Sequence, residues 1–170
     1  MAESRLMDVV VGTEQSLYDV VSLNVKNSEC FREPGGIQPF VAAVLARAGN
    51  RKLTALRVWG HGFIDLPDGT MNFGHDSLAF DTFERFRSQL APLAPVFTSA
   101  SRMELRGCAS ARGRGKEMMK NLAVLLAVRV HASDKYQSLV NTWDRPVYQA
   151  TPAPDQQVVP TNPVEVYEGV

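Results

Sequence analysis

Apolar positions along this chain follow two periods. Short runs of aliphatic and β-branched residues alternate with longer stretches in which apolar side chains return every three or four positions. "KLTALRVWG" (52–60), "RMELRG" (102–107) and "VRVHAS" (128–133) read as strands. In "IQPFVAAVLARAGN", Ile37, Phe40, Val41, Val44, Leu45 and Ala48 predict a helix, stopped by Gly49-Asn50. "HDSLAFDTFERFRSQLAPL" predicts a second helix, capped by Asp76 or Ser77, with Ala79, Phe83, Phe86, Leu90 and Leu93 as its buried stripe. "KEMMKNLAVLLA" predicts a third. "FIDLPDGTMNFG" predicts a hairpin turning at Pro67-Asp68-Gly69. Near the N-terminus, "LMDVVVG" and "YDVVSLNV" are rich in valine and read as strands about Gly12-Thr13-Glu14, either a hairpin or one interrupted strand. "NSECFREPGG" reads as loop.

Alternating strand and helix predicts an α/β fold with a mostly parallel central sheet and right-handed crossovers. Sites in such sheets lie beyond the carboxyl ends of the strands. Residues 1–142 read as one α/β domain. After Trp143 the pattern changes, and residues 143–170 hold five of the ten prolines. This extension predicts short strands, with a hairpin from "VYQAT" to "QVV" and a mobile end, packed on the domain or trailing from it.

Composition narrows the function classes. Lysine and arginine equal aspartate and glutamate at 18 each, so the net charge is zero and no basic excess points to nucleic acid. The N-terminus has no apolar signal-peptide core, and no run approaches the roughly 20 apolar residues of a membrane span. These features predict a cytoplasmic protein, or an effector exported without a cleaved signal peptide, with neither nucleic acid nor membrane as partner. Two cysteines make no disulfide framework. Three histidines without paired spacing, and no C-x-x-C, predict no metal site. No cofactor motif is present, since Gly113 and Gly115 do not form a dinucleotide or phosphate loop after a strand.

The chemistry concentrates at two strand ends. Gly60-His61-Gly62 closes one predicted strand and Gly107-Cys108 closes the next, with a helix between them. Parallel neighbours sit about 4.8 Å apart, so imidazole and thiol meet above one edge. A histidine beside a thiol promotes the thiolate and serves as acid to a leaving group. Backbone N–H groups around Gly62 and Gly107-Cys108 suit an oxyanion. His75 reads as a loop or capping residue, His131 as core or pocket wall, and Cys30 as an incidental thiol.

Cys108 follows His61 by 47 positions. With that spacing, "LRVWGHG" and "MELRGCAS" resemble the caspase-like superfamily of cysteine peptidases, which includes caspases, metacaspases, gingipains, separase-type peptidases and toxin autoprocessing domains. The resemblance spans roughly residues 53–135, about half the chain, and its wording is closest to small bacterial members. It implies a three-layer caspase-like sandwich with a small hairpin after the histidine strand. It also implies a cysteine endopeptidase acting on proteins or on itself, with His61 and Cys108 as a dyad working through a thioester and needing no cofactor. A specificity-giving or activating protein partner fits the absence of a recognition domain.

Around that dyad, Arg106 occupies the position that faces the specificity pocket in several members, which implies an acidic substrate residue. Ser133 and Asp134 fall in another pocket segment, where an acid implies a basic one, and the two implications oppose each other. A plainer reading has Arg57 and Glu104 pairing across parallel register. Asp65 and Asp134 are candidates to orient His61. Arg112, Arg114 and Lys116 read as a solvated loop or an anion site near a helix N-terminus. Two other readings share the fold: a catalytically silent interaction scaffold, and a thiol hydrolase or acyltransferase that is not a peptidase.

Overall fold

The structure is a computed structural model that describes residues 5–25, 28–137 and 146–161. Along the chain run β1 (Leu6–Val10), α1 (Gln15–Asn24), β2 (Ser28–Arg32), α2 (Ile37–Ala48) and β3 (Ala55–Trp59). A hairpin of β4 (Thr70–Phe73) and β5 (Asp76–Ala79) follows, then α3 (Phe83–Leu90), which continues into a 3-10 helix over Ala91–Val96. Then come β6 (Arg102–Arg106), α4 (Gly115–Leu126), β7 (Arg129–Ser133), β8 (Val147–Ala150) and β9 (Val159–Thr161). The central sheet has seven strands in the order β2-β1-β3-β6-β7-β8-β9. Its first five are parallel, and β8 and β9 extend it antiparallel. The α/β architecture with a mostly parallel sheet is therefore as the sequence predicts.

Alternation along each strand assigns side chains to the two faces. Met7, Val9, Leu56, Val58, Met103, Leu105, Val130 and Ala132 face one side and are buried with the apolar stripes of α2, α3 and α4. The other face carries polar groups in register. Asp8 stands beside Cys30 and Arg57, Arg57 beside Glu104, Glu104 beside His131, and His131 beside Gln149. On this face, α1 covers the β1–β3 end by packing Leu17 and Val21 against Val10 and Trp59.

Four local expectations are corrected. "YDVVSLNV" lies in helix α1 rather than a strand. Leu17 and Val21, four apart, bury one helical stripe, and parallel β1 and β2 need a crossover that a tight turn does not supply. "SECFR" forms edge strand β2, in which only Phe31 is fully buried, so no apolar alternation marks it. The hairpin turns at Gly74-His75 rather than Pro67-Asp68-Gly69, with Gly74 at φ +57. Asp76 and Ser77 thus lie in β5, and α3 starts later, after Thr82. Asp76 does serve a helix start, but that of α2, where its carboxylate accepts the Ile37 N–H at 2.9 Å.

Residues 147–161 supply the last two strands of the sheet; β8 falls on "VYQAT", whereas its antiparallel partner β9 begins at Val159 and shares only that residue with "QVV". The boundary near Trp143 and the tail over 162–170 lie outside the described residues. No helix among the described residues is long and apolar enough to cross a membrane.

Candidate functional site

Strands β3 and β6 pair from Ala55↔Arg102 to Trp59↔Arg106, a constant offset of 47. His61 and Cys108 differ by the same offset, each two positions beyond the last pair, and no hydrogen bond joins them among the described residues. The backbones remain close past the strand ends. A side chain on Gly62 would overlap the Cys108 carbonyl oxygen, with the Thr70 carbonyl 2.7 Å away. Gly107 is similarly confined, by the Met71 sulfur and the Ser110 hydroxyl. The glycines flanking His61 and Cys108 provide clearance between chain segments.

His61 is half exposed, and its Nε2 lies 3.3 Å from a Glu14 carboxylate oxygen. Glu14 is the N-cap residue of α1, the helix that covers the face on which Trp59 lies. Two positions further along the same strand direction, His61 meets the start of that helix. Arg32, at the end of β2, braces the loop that carries Glu14. It donates to the Gly12 carbonyl at 3.3 Å, to the Thr13 carbonyl and to the Gln15 side chain at 2.8 Å. The sequence does not mark Glu14, because its segment reads as a turn between strands; its one signal is the i, i+4 pair Leu17 and Val21 that follows. Asp65, the expected orienting acid, sits exposed in the loop after β3 with no hydrogen bond or ion pair among the described residues.

Cys108 is partly buried, and the Gln137 N–H approaches its Sγ at 3.5 Å. The next residue, Ala109, takes a left-handed φ of 52, a conformation that costs a non-glycine residue about 1–2 kcal/mol. Its N–H donates to the Lys135 carbonyl at 2.7 Å, which ties this sharp turn to the segment after β7. The N–H groups of Gly62 and Cys108 carry no hydrogen bond among the described residues.

Beneath the site lies a buried ionic layer. Arg57 bonds Asp8 at 2.5 Å, and Asp8 also accepts the Trp59 indole N–H at 2.6 Å. Arg106 is buried beside Trp59 and donates to Glu104 at 2.7 and 2.9 Å. Burial alone would raise the Glu104 pKa. The guanidinium groups of Arg106 and Arg102, with Arg57 behind them, outweigh it and hold the carboxyl below its usual value. The expected Arg57–Glu104 adjacency is thus present in register, while the direct bonds run to Asp8 and from Arg102 and Arg106.

Other expected residues take defined places. Ser133 is buried at the end of β7, where its hydroxyl accepts the Lys135 N–H at 3.1 Å. One carboxylate oxygen of Asp134 accepts the Tyr148 hydroxyl at 3.3 Å, and the other is buried. Each member of the basic cluster is engaged: Arg112 with the Ile64 and Asp134 carbonyls, Arg114 with Asp81, and Lys116 over the Tyr148 ring. His75 sits in the hairpin turn, and buried His131 shares a hydrogen bond with Gln149 at 2.9 Å. Cys30 is in β2, where burial first and Asp8 second push its thiol from 9.0 up to about 11. No group of three metal-ligating side chains occurs among the described residues.

No curated protein matches the chain. A family profile does, over residues 6–144, which takes in β1 through β7 and both strand ends that carry His61 and Cys108. By that match the chain belongs to the family described as domain of unknown function DUF4347.

Proposed function

We propose that this chain is a caspase-like cysteine endopeptidase, its parallel sheet and two helical faces forming the three-layer sandwich of that superfamily. One observation carries the proposal: the His61–Cys108 spacing equals the β3–β6 register offset, so both residues follow the carboxyl ends of neighbouring parallel strands. Sheets of this kind bind ligands at that edge.

The residues divide the work as follows. Glu14 on Nε2 leaves Nδ1 of His61 as the nitrogen available to the thiol proton. His61 takes that proton and the Cys108 sulfur attacks the peptide carbonyl carbon. The oxyanion accepts hydrogen bonds from the Gly62 and Cys108 N–H groups. The C–N bond then breaks, the amine leaves with the proton from His61, and a thioester remains. Water, deprotonated by His61, cleaves the thioester and returns the thiol.

The test is the rate at which iodoacetamide alkylates Cys108, followed by mass spectrometry across pH. Cys30 is a poor reference, because a thiol raised from 9.0 to about 11 carries roughly a hundredfold less thiolate whatever Cys108 does. The informative comparison is His61→Ala. A fall of tenfold or more in Cys108 alkylation near neutral pH is expected, with a smaller fall in Glu14→Gln. Equal rates in wild type and His61→Ala would overturn the dyad.

A further inference from the structure

Two short segments border the turn that carries Cys108, and both expose apolar side chains. On one side, Gly62 lies against the Cys108 carbonyl, and the following Phe63, Ile64 and Leu66 are 50%, 44% and 43% exposed. On the other side, Lys135 accepts the Ala109 N–H and Gln137 approaches the sulfur; between them Tyr136 is 66% exposed. Arg112 ties the two segments by donating to the Ile64 and Asp134 carbonyls. Four of the seven large hydrophobic residues exposed among the described residues fall on these two segments, so the exposure is clustered. Apolar clusters of this kind on a protein surface mark contact sites.

The charged candidates do not face a ligand there. Arg106 is buried and bonded to Glu104. One Asp134 oxygen is taken by Tyr148, and the other is buried. Exposed Asp65 and Lys135 are of opposite sign and solvated, so they favour neither an acid nor a base. Among the described residues, what these two segments expose besides that opposed pair is apolar.

We infer that the Cys108 site takes an extended peptide by an apolar side chain on the residue whose carbonyl is attacked, seated between Phe63–Ile64 and Tyr136. This rests on the dyad proposed above. Burying a leucine- or phenylalanine-sized group between such walls contributes more than a solvated charge recovers there.

Blocked peptidyl acyloxymethyl ketones that differ only in the terminal residue (leucine, phenylalanine, aspartate or arginine) test it on the full chain. The Cys108 sulfur displaces the carboxylate from the methylene carbon: a C–S bond forms, the C–O bond breaks, and the carboxylate leaves with the electron pair. Labelling of Cys108 by the leucyl and phenylalanyl probes is expected to be at least tenfold faster than by the aspartyl and arginyl probes. Phe63→Ser and Tyr136→Ser should shrink that ratio, while Leu23→Ser, on the exposed side of α1, should leave it unchanged. Iodoacetamide, which has no side chain to recognise, runs in parallel. If charged probes label as fast as apolar ones while iodoacetamide labelling still depends on His61, the apolar site is overturned and the dyad stands. If iodoacetamide labelling does not depend on His61, the dyad fails and this inference fails with it.

Discussion

At the scale of single residues, the site depends on a backbone approach that only glycine permits. The obstacles to a Cβ on Gly62 are both carbonyl oxygens, those of Cys108 and Thr70, and neither can rotate away. Gly62→Ala is therefore expected to destabilise the chain by about 1–3 kcal/mol, as overpacking does elsewhere. A urea unfolding midpoint measures it, and Cys108 alkylation in the same variant should slow because the two strand ends are forced apart. An unchanged midpoint would show that the close approach is not real. His61 and Cys108 were visible in the sequence because glycines and strand ends mark them. Glu14 was not, since its partner is 47 positions away and only the folded α1 crossover brings them together.

Elements are held by a few local devices, and one of them is suboptimal. Helix α4 ends at Ala127, which is exposed, left-handed at φ 52 and ψ 40, and donates its N–H to Ala123. Glycine is the usual residue at such a helix end. The left-handed conformation costs alanine about 1–2 kcal/mol, and glycine's freer unfolded chain takes back about 0.4–1. Ala127→Gly should raise stability by about 0.5–1 kcal/mol in urea unfolding; a decrease would contradict the conformation. The helices with long apolar stripes, α2 and α4, were legible because burial on one face imposes their period. Strand β2 and helix α1 were not. An edge strand needs little apolar content, and a helix of ten residues with two buried residues resembles a valine-rich strand. Pro67-Asp68-Gly69 and Gly74-His75 both carry turn residues, and strand pairing selects the second.

For the whole molecule, the polar row across the sheet predicts how stability depends on pH. Glu104 is held below its ordinary carboxyl value of 4.5, so its stabilising contribution is complete above that pH and is lost as pH falls through the lower folded value. His131 is lowered from 6.5, chiefly by burial, although its bond with Gln149 opposes this. The unfolded chain takes up a proton there before the folded one does, so stability declines as pH drops below 6.5 toward the folded value. Denaturation midpoints measured across pH should show both windows. His131→Gln is expected to flatten the upper one. Glu104→Gln should remove the lower one and cost about 3–5 kcal/mol at neutral pH, because it leaves buried guanidinium groups without their carboxylate. A Glu104→Gln profile as steep below pH 4.5 as the wild type's would assign the acid limb to other carboxylates.

Local pattern alone determined the α/β class and the two strand ends that carry histidine and cysteine. Each follows from periods of two or 3.6 residues and from glycines that interrupt them, all of which act over a few neighbouring positions. Tertiary structure decided the partners. Register made the spacing of 47 an alignment, the crossover helix delivered Glu14 to His61, and the buried layer bound Arg106 to Glu104. Those outcomes turn on which distant segments exclude water together, and burial of a charge is settled by its neighbours in space.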